Sequence, residues 1–190
     1  MEQADKRIPC GLRLVCSIAL ANKVELRGFC SIANDGTKFY FLTNKDAPRY
    51  KLVSIDISEP AEKRIFKDVI PEDKDAHLED ILPINGNKLA VVYKRNVKDE
   101  IYIYAMDGTQ LKRVAPEFVG AATVAGRRKQ DWFFVSLTGF TNPGIIAQYD
   151  FRKTEEERWS IYRTTLLQGL KAEDFEAQQV RLHARANAPC

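Results

Sequence analysis

A chain of 190 residues, 45% hydrophobic, with 10 glycines and 8 prolines, holds enough apolar material for one sizeable core and lacks the composition of a disordered protein. Its 29 basic and 26 acidic side chains leave a formal charge of +3, too balanced to imply nucleic acid or a lipid surface as a partner. No run reaches the roughly 18–20 apolar residues that span a bilayer.

Residues 1–28 read as an atypical N-terminal segment. Within it "LVCSIALA" (14–21) is apolar and ends in small residues, but it follows Arg13 and the acidic start Glu2 and Asp5, which argues against a secretory leader. Cys10, Cys16 and Cys30 lie near the front and Cys190 at the end, with no C-x-x-C pair to hold a metal or run redox chemistry. The cysteines therefore read as reduced thiols and the chain as cytoplasmic.

From residue 29 onward the pattern repeats. "FYFLTNKDAPRYKLVSID" (39–56), "LAVVYKRNVKDEIYIYAM" (89–106) and "FFVSLTGFTNPGIIAQYD" (133–150) share one plan of apolar strand, polar loop of several residues and second apolar strand. Asp35-Gly36, Asn85-Gly86 and Asp107-Gly108 supply the positive-φ positions that tight antiparallel turns need. Further strands fit at 65–70, 78–84, 110–114 and 160–165. About four strands recur every ~45 residues, the size of a propeller blade.

Burial pattern separates two all-β architectures. A two-sheet sandwich wets one face of each sheet, so its strands alternate apolar and polar residues. Phe39 to Leu42, Leu89 to Tyr93, Ile101 to Tyr104 and Trp132 to Val135 do not alternate, as expected for sheets stacked between neighbours. The pattern predicts an all-β, incomplete β-propeller of about three four-stranded antiparallel blades over 29–165, its aromatics serving as core. The remainder, 166–190, reads as a connector and tail, in which "KAEDFEAQQVRLHARA" (171–186) is rich enough in helix formers for a short C-terminal helix. Closed propellers use about four to eight blades. Three blades imply either assembly with further copies or a piece of something longer.

Little in the chain points to chemistry. None of the six serines sits in a G-x-S-x-G elbow. His77, in "DKDAHLED", has carboxylates on both sides and the residue type of a base or metal ligand, but reads as an inert loop histidine ahead of a strand. His183 lies in the tail. "GRRKQ" (126–130) is a short basic cluster with the charge to touch phosphate, and reads as a solvated turn. "PEDKDAHLED" reads as an acidic connector between blades, without the oxygen spacing or central glycine of a calcium loop. "DGTKF" and "GNK" read as turns, since no glycine-rich loop opens a helix as a phosphate cradle does. We expect no catalytic, cofactor-binding or metal-binding residue and no cofactor.

"NDGTKFYFLTNKDAPRYKLVSIDI", "YKRNVKDEIYIYAMDGTQL", "GFTNPGIIAQYDF" and "YRTTLLQGLKAEDFEAQQV" together resemble consecutive parts of the β-propeller of the prolyl oligopeptidase family, with a fungal flavour. The resemblance runs from Phe29 to Val180 in order. It implies a seven-bladed propeller set on an α/β-hydrolase domain with a Ser, Asp and His triad. In such enzymes the propeller admits short peptides, cut after proline, and keeps folded proteins out. This stretch would be roughly the last three blades and the connector to the hydrolase. The implied partners are short proline-containing peptides, acting through the intact enzyme, with no nucleic acid and no membrane.

The resemblance fades before Phe29 and after Val180, where "RLHARANAPC" stands in place of the family's next strand and S-K-D-G-T-like turn. We therefore expect a fragment, from an incomplete gene, an altered frame or a misplaced intron, inactive alone as a serine-type endopeptidase. The resemblance leaves open whether the parent enzyme only hydrolyses peptides or also closes them into rings. A non-catalytic propeller-type interaction module, presenting "TNKDAPRY" and "KRNVKDE", and a relic without function stand as the alternatives.

Overall fold

β-Branched and aromatic runs broken by glycine, asparagine and aspartate turns give a chain of antiparallel strands in succession. The computed structural model describes residues 29–141 and 144–165, together with Phe175 and Val180. Its strands are β1 (Phe29–Asp35), β2 (Lys38–Thr43), β3 (Lys51–Asp56), β4 (Lys67–Ile70), β5 (His77–Ile84), β6 (Lys88–Arg95), β7 (Lys98–Ala105), β8 (Gln110–Val114), β9 (Ala121–Gly126), β10 (Trp132–Thr138), β11 (Ile145–Asp150) and β12 (Trp159–Thr164). They form three four-stranded sheets ordered β1-β2-β3-β4, β5-β6-β7-β8 and β9-β10-β11-β12, every neighbouring pair antiparallel. These are blades 1, 2 and 3, as the repeat predicts, and they do not close into a ring.

The turns behave as their residues dictate. Gly36, Asn85, Gly86 and Gly108 take positive φ of 57°, 43°, 68° and 94°. Between β6 and β7 the structure departs from the expected polar loop of several residues. The two strands pair without a break from Lys88↔Ala105 to Arg95↔Lys98, leaving a two-residue turn at Asn96 and Val97, both at positive φ. The strand pairing extends through the charged residues because lysine, arginine and glutamate on a hairpin end stay solvated or ion-paired while their backbones satisfy one another. Strands β1 and β9 were not anticipated as elements, since "FCSIAND" and "AATVAG" are small or mixed and carry little β signal of their own. The proposed C-terminal helix at 171–186 lies, apart from Phe175 and Val180, outside the described residues.

Side chains alternate between the two faces of each sheet, and both faces of blade 2 are covered. Leu89, Val91, Tyr93 and Tyr104 pack with Tyr40, Leu42, Leu52 and Ile70 of blade 1. Ala90, Ile101, Ile103 and Val114 pack with Phe133, Val135, Leu137 and Tyr149 of blade 3. That is why Leu89 to Tyr93 are all buried and show no polar alternation. Burying each of these large side chains stabilises the fold by about 1.5–3 kcal/mol. Blade 1 also carries a third cluster on its far face, Phe41, Val53 and Ile55 with Phe29, Phe39 and Phe66 around them. On the far face of blade 3, Trp132 and Phe134 stand 5.2 Å apart between ring centroids, with Tyr162 5.2 Å beyond and 68% exposed.

Candidate functional site

The first strands of the three blades are neighbours, β5 touching both β1 and β9, so they form the inner edge of the array. Two of them are bulged. In β5 the register slips between Leu78 and Asp80, and in β1 between Ser31 and Ala33. The β5 bulge lets Leu78 and Ile81 both face blade 1 while Glu79 and Asp80 remain exposed on the inner edge. Thr123 and Ala125 of β9 are exposed beside them. The inner edge is therefore a wall of small and acidic side chains, backed by packed sheets.

At one end of this wall lie the hairpin turns β1–β2, β5–β6 and β9–β10, and Arg128 joins all three. Its Nε donates to Gly86 O at 2.6 Å, its Nη1 donates to Asn34 O, and its Nη2 stands 3.3 Å from the Asp35 carboxylate. The backbone repeats the link between blades 2 and 3, as Gly86 N donates to Arg128 O at 2.6 Å and Asn85 N to Gln130 O at 3.1 Å. Asn85 Nδ2 donates to Asp131 at 3.0 Å. A planar guanidinium with five donors can serve three oxygens in different directions, which an ammonium on one stem cannot. The "GRRKQ" turn, expected to be solvated, is thus in part a clasp across three blades.

The other end is held by ion pairs from the β6–β7 hairpin. Asp99 Oδ2 accepts from Ala122 N at 2.8 Å and Asp99 N donates to Gly120 O at 2.9 Å, tying blade 2 to the start of β9. Lys94 lies between Glu79 at 2.6 Å and Asp99 at 3.7 Å, and its hydrogen bond to Glu79 raises its pKa. Glu100, 6% exposed, accepts from Arg95 Nε at 3.2 Å, Arg113 Nη2 at 3.0 Å and Tyr102 Oη at 3.1 Å. Arg95 then reaches Asp73 in the connector between blades 1 and 2 at 2.6 Å. Burial pushes the Tyr93, Tyr102 and Tyr104 phenols up, so they stay neutral donors around this network.

Beside the Arg128 end, a cleft of about 440 Å³ opens between blades 2 and 3, lined in part by Lys88, Phe151 and Arg158. Arg152, in the lining, binds Asp150 through Nε at 2.9 Å and Nη2 at 2.7 Å, and these hydrogen bonds hold the Asp150 carboxyl down to about 2.

The histidine singled out from sequence is not a loop residue. His77 opens β5 opposite Lys94 and meets the Tyr50 ring edge-on at 5.2 Å. The acidic stretch at 71–80 is likewise only partly a connector, since its last four residues belong to β5, while Asp73 caps Asp75 N and Ala76 N. Among the described residues no three His, Cys, Asp or Glu side chains gather where they could hold a metal. His183 lies outside the described residues. Arg128 was marked from sequence only as part of the "GRRKQ" cluster, without its clasping role, and the Lys88–Phe151–Arg158 group was missed. Arg128 and Lys88 find partners on other blades, which no linear pattern shows.

Comparison with known proteins places this geometry in a family. Residues 22–161 match the family described as prolyl oligopeptidase, N-terminal beta-propeller domain. The chain is 53% identical over 149 residues to prolyl oligopeptidase A of Galerina marginata, covering 78% of this chain and 20% of that protein. It is 49% identical over 149 residues to the dual function macrocyclase-peptidase POPB of the same fungus, again with 78% and 20% covered. The solved apo structure of prolyl oligopeptidase B from Galerina marginata superposes with a TM-score of 0.75 at 48% identity, covering 78% of this chain and 21% of that one. The chain thus spans about a fifth of the length of these relatives. The match runs from ahead of β1 into β12, and the chain belongs to the prolyl oligopeptidase N-terminal β-propeller family.

Proposed function

We propose that this chain acts as the wall and rim of the propeller of a proline-specific serine peptidase, gating short proline-containing peptides toward a hydrolase domain and keeping folded proteins out. The observation that carries this reading is the inner wall of β1, β5 and β9, held at one end by Arg128 and at the other by Asp99, in a chain of this family. Such a wall filters by staying rigid, and its contribution is mechanical rather than through reacting groups. Structures of prolyl oligopeptidase B from Galerina marginata bound to 35mer and 25mer peptide substrates support peptides as the class handled. Residues 29–165 form the working unit, with 1–28 and 166–190 flanking it, as part of a larger ring. A cytoplasmic setting fits the free, exposed Cys30 thiol.

The test is a chimaera in which residues 29–165 replace the matching stretch of the Galerina marginata prolyl oligopeptidase A. The reading expects kcat/KM on a short proline peptide to stay within about tenfold of the parent and folded proteins to remain uncut. A folded chimaera that cuts folded proteins, or that loses the short peptide, would overturn it.

A second reading, a non-catalytic interaction module, is favoured by the far face of blade 3, where Phe134 packs on Tyr162 and Tyr162 is 68% exposed. It expects the 190-residue chain to hold one protein partner stoichiometrically, and replacement of Tyr162 by aspartate to release it.

A further inference from the structure

Four cations reach the cleft between blades 2 and 3, but they are not equivalent. Arg152 is bidentate on Asp150, and Lys112 is paired with Glu155 at 2.7 Å. Their charges are spoken for. Lys88 Nζ instead donates to two neutral amide oxygens, Asn85 Oδ1 at 2.9 Å and Asn87 Oδ1 at 3.2 Å. Arg158 Nε donates to a backbone carbonyl, Lys153 O, at 3.3 Å. Among the described residues the ion pairs in this cleft are those of Lys112 and Arg152, and Arg158 acts on Glu155 only at longer range, as the smallest of the causes that lower that carboxyl's pKa. Lys88 and Arg158 both stand over the same ring, with Lys88 Nζ 5.4 Å and Arg158 Cζ 5.9 Å from the Phe151 centroid.

The geometry points to a peptide-carboxylate subsite: we propose that Lys88 and Arg158, held over Phe151, clamp a carboxylate of an extended peptide lying in this cleft. Cations resting on an aromatic ring keep their outward donors for a ligand while the ring limits their rotamers, so less freedom is lost on binding. A guanidinium fork and an ammonium together match a carboxylate, each contact being charge-assisted. The rest of the lining fits a peptide body. Ile103, Leu111 and Phe151 offer apolar contact, and the Asp131 and Glu155 carboxylates offer acceptors for backbone N–H groups. At about 440 Å³ the cleft is far larger than a bare inorganic anion and is the size of a few residues of chain. The same two acidic side chains disfavour a polyanion such as RNA.

The position has a consequence. Asn85 both holds Lys88 and hydrogen-bonds Asp131, and its turn is the one that Arg128 clasps. A peptide seated on Lys88 therefore loads the same turn that ties the inner wall together. The subsite does not depend on the peptidase reading, because its binding is measured on this chain without any hydrolase domain.

The experiment uses the 190-residue chain and three unlabelled hexapeptides with acetylated N-termini, read by isothermal titration calorimetry at low and moderate salt. One carries internal glutamates with an amidated C-terminus, one carries glutamines with a free C-terminal carboxylate, and one carries glutamines with an amidated end. The expected result is saturable, salt-sensitive binding of the first or the second, which also tells side-chain carboxylate from chain end, and no binding of the third. The Lys88→Gln, Arg158→Gln double variant removes both charges while keeping part of each apolar stem and should weaken that binding about tenfold or more. Lys63→Gln, on blade 1, should not change it. In wild type, the Arg158 side-chain Nε–H resonance should shift on titration, a readout that needs no variant. Equal binding of the neutral peptide, an unchanged Kd in the double variant, or no saturable binding with a stationary Arg158 resonance would overturn the proposal.

Discussion

Asp99 and Glu100 are neighbours in β7, yet their partners lie in opposite directions: Asp99 accepts from Ala122 N of β9 in blade 3 at 2.8 Å, while Glu100 binds Arg95 and Arg113 within blade 2, and Arg95 continues to Asp73 in the connector before β5. The alternation of a strand places consecutive side chains on opposite faces, so one of two adjacent acids reaches blade 3 while the other ties the strands of blade 2 to the connector from blade 1. Each is almost fully buried, with side chains 8% and 6% exposed. Replacing Glu100 with alanine leaves two guanidiniums facing each other over a cavity and should cost about 3 kcal/mol of stability. Asp99→Ala leaves Ala122 N without its acceptor and should cost about 1–3 kcal/mol. Urea unfolding of the two variants checks both, and losses below about 0.5 kcal/mol would contradict the assignment.

Arg128→Ala should loosen the three inner turns together. The expected result is faster amide exchange at Gly86, whose carbonyl Arg128 holds, and in the β1–β2 turn, with a stability loss of about 1–2 kcal/mol. Arg128→Lys should not restore protection in both turns at once, because one ammonium cannot reach Gly86 O and Asn34 O together. Full restoration by lysine would show that charge alone is what matters at this position.

Val97 sits at φ 68° and is 91% exposed, a left-handed conformation that a β-branched side chain adopts only under strain. Val97→Gly relieves that strain and should raise stability by about 0.5–1 kcal/mol even after the extra freedom glycine gains when unfolded. A calorimetric melt at fixed pH reads the sign directly.

Gly108, at φ 94°, lies where an added Cβ would stand 1.9 Å from the Val69 carbonyl oxygen of blade 1. Gly36, at φ 57°, has open space around it. Gly108→Ala should therefore cost well above the ~1 kcal/mol expected of Gly36→Ala, because backbone rather than a movable side chain must give way. Equal losses for the two variants would mean that blades 1 and 2 do not meet there.

The Asp150 carboxyl, held at about 2 by its hydrogen bonds to Arg152, sets an acid limb. Its folded pKa is depressed, so the stability it contributes is fully present above its unfolded pKa of about 4 and is lost as pH falls toward 2. Asp150→Asn should flatten that part of the stability curve between pH 4 and about 2 while leaving its shape near neutrality unchanged. Unfolding followed at half-unit pH steps tests the window.

Much of the fold was legible because blade strands write their burial into composition. Leu89 to Tyr93 can be apolar on every residue only if both faces of a sheet are covered, and the three copies of that plan count the blades. Strand β9 was not legible, since "AATVAG" gains its place from pairing with β10 rather than from its own propensity. The β6–β7 turn was misjudged for a related reason. Charged residues look like loop in a linear reading, whereas Arg95 and Glu100 are strand residues whose charges are satisfied across the sheet.

Periodicity and turn residues are local, and the sequence by itself determined what depends on them: an all-β chain, about three blades, and stacked rather than half-wetted sheets. Functional geometry depends on which turns end at the same edge, and that only the tertiary structure decided. Arg128 reaches Asn34, 94 residues away, and Gly86, 42 residues away, and Asn85 reaches Asp131 across 46 residues. No spacing rule links such positions, because the stacking of whole blades, driven by their apolar faces, is what brings the inner turns together.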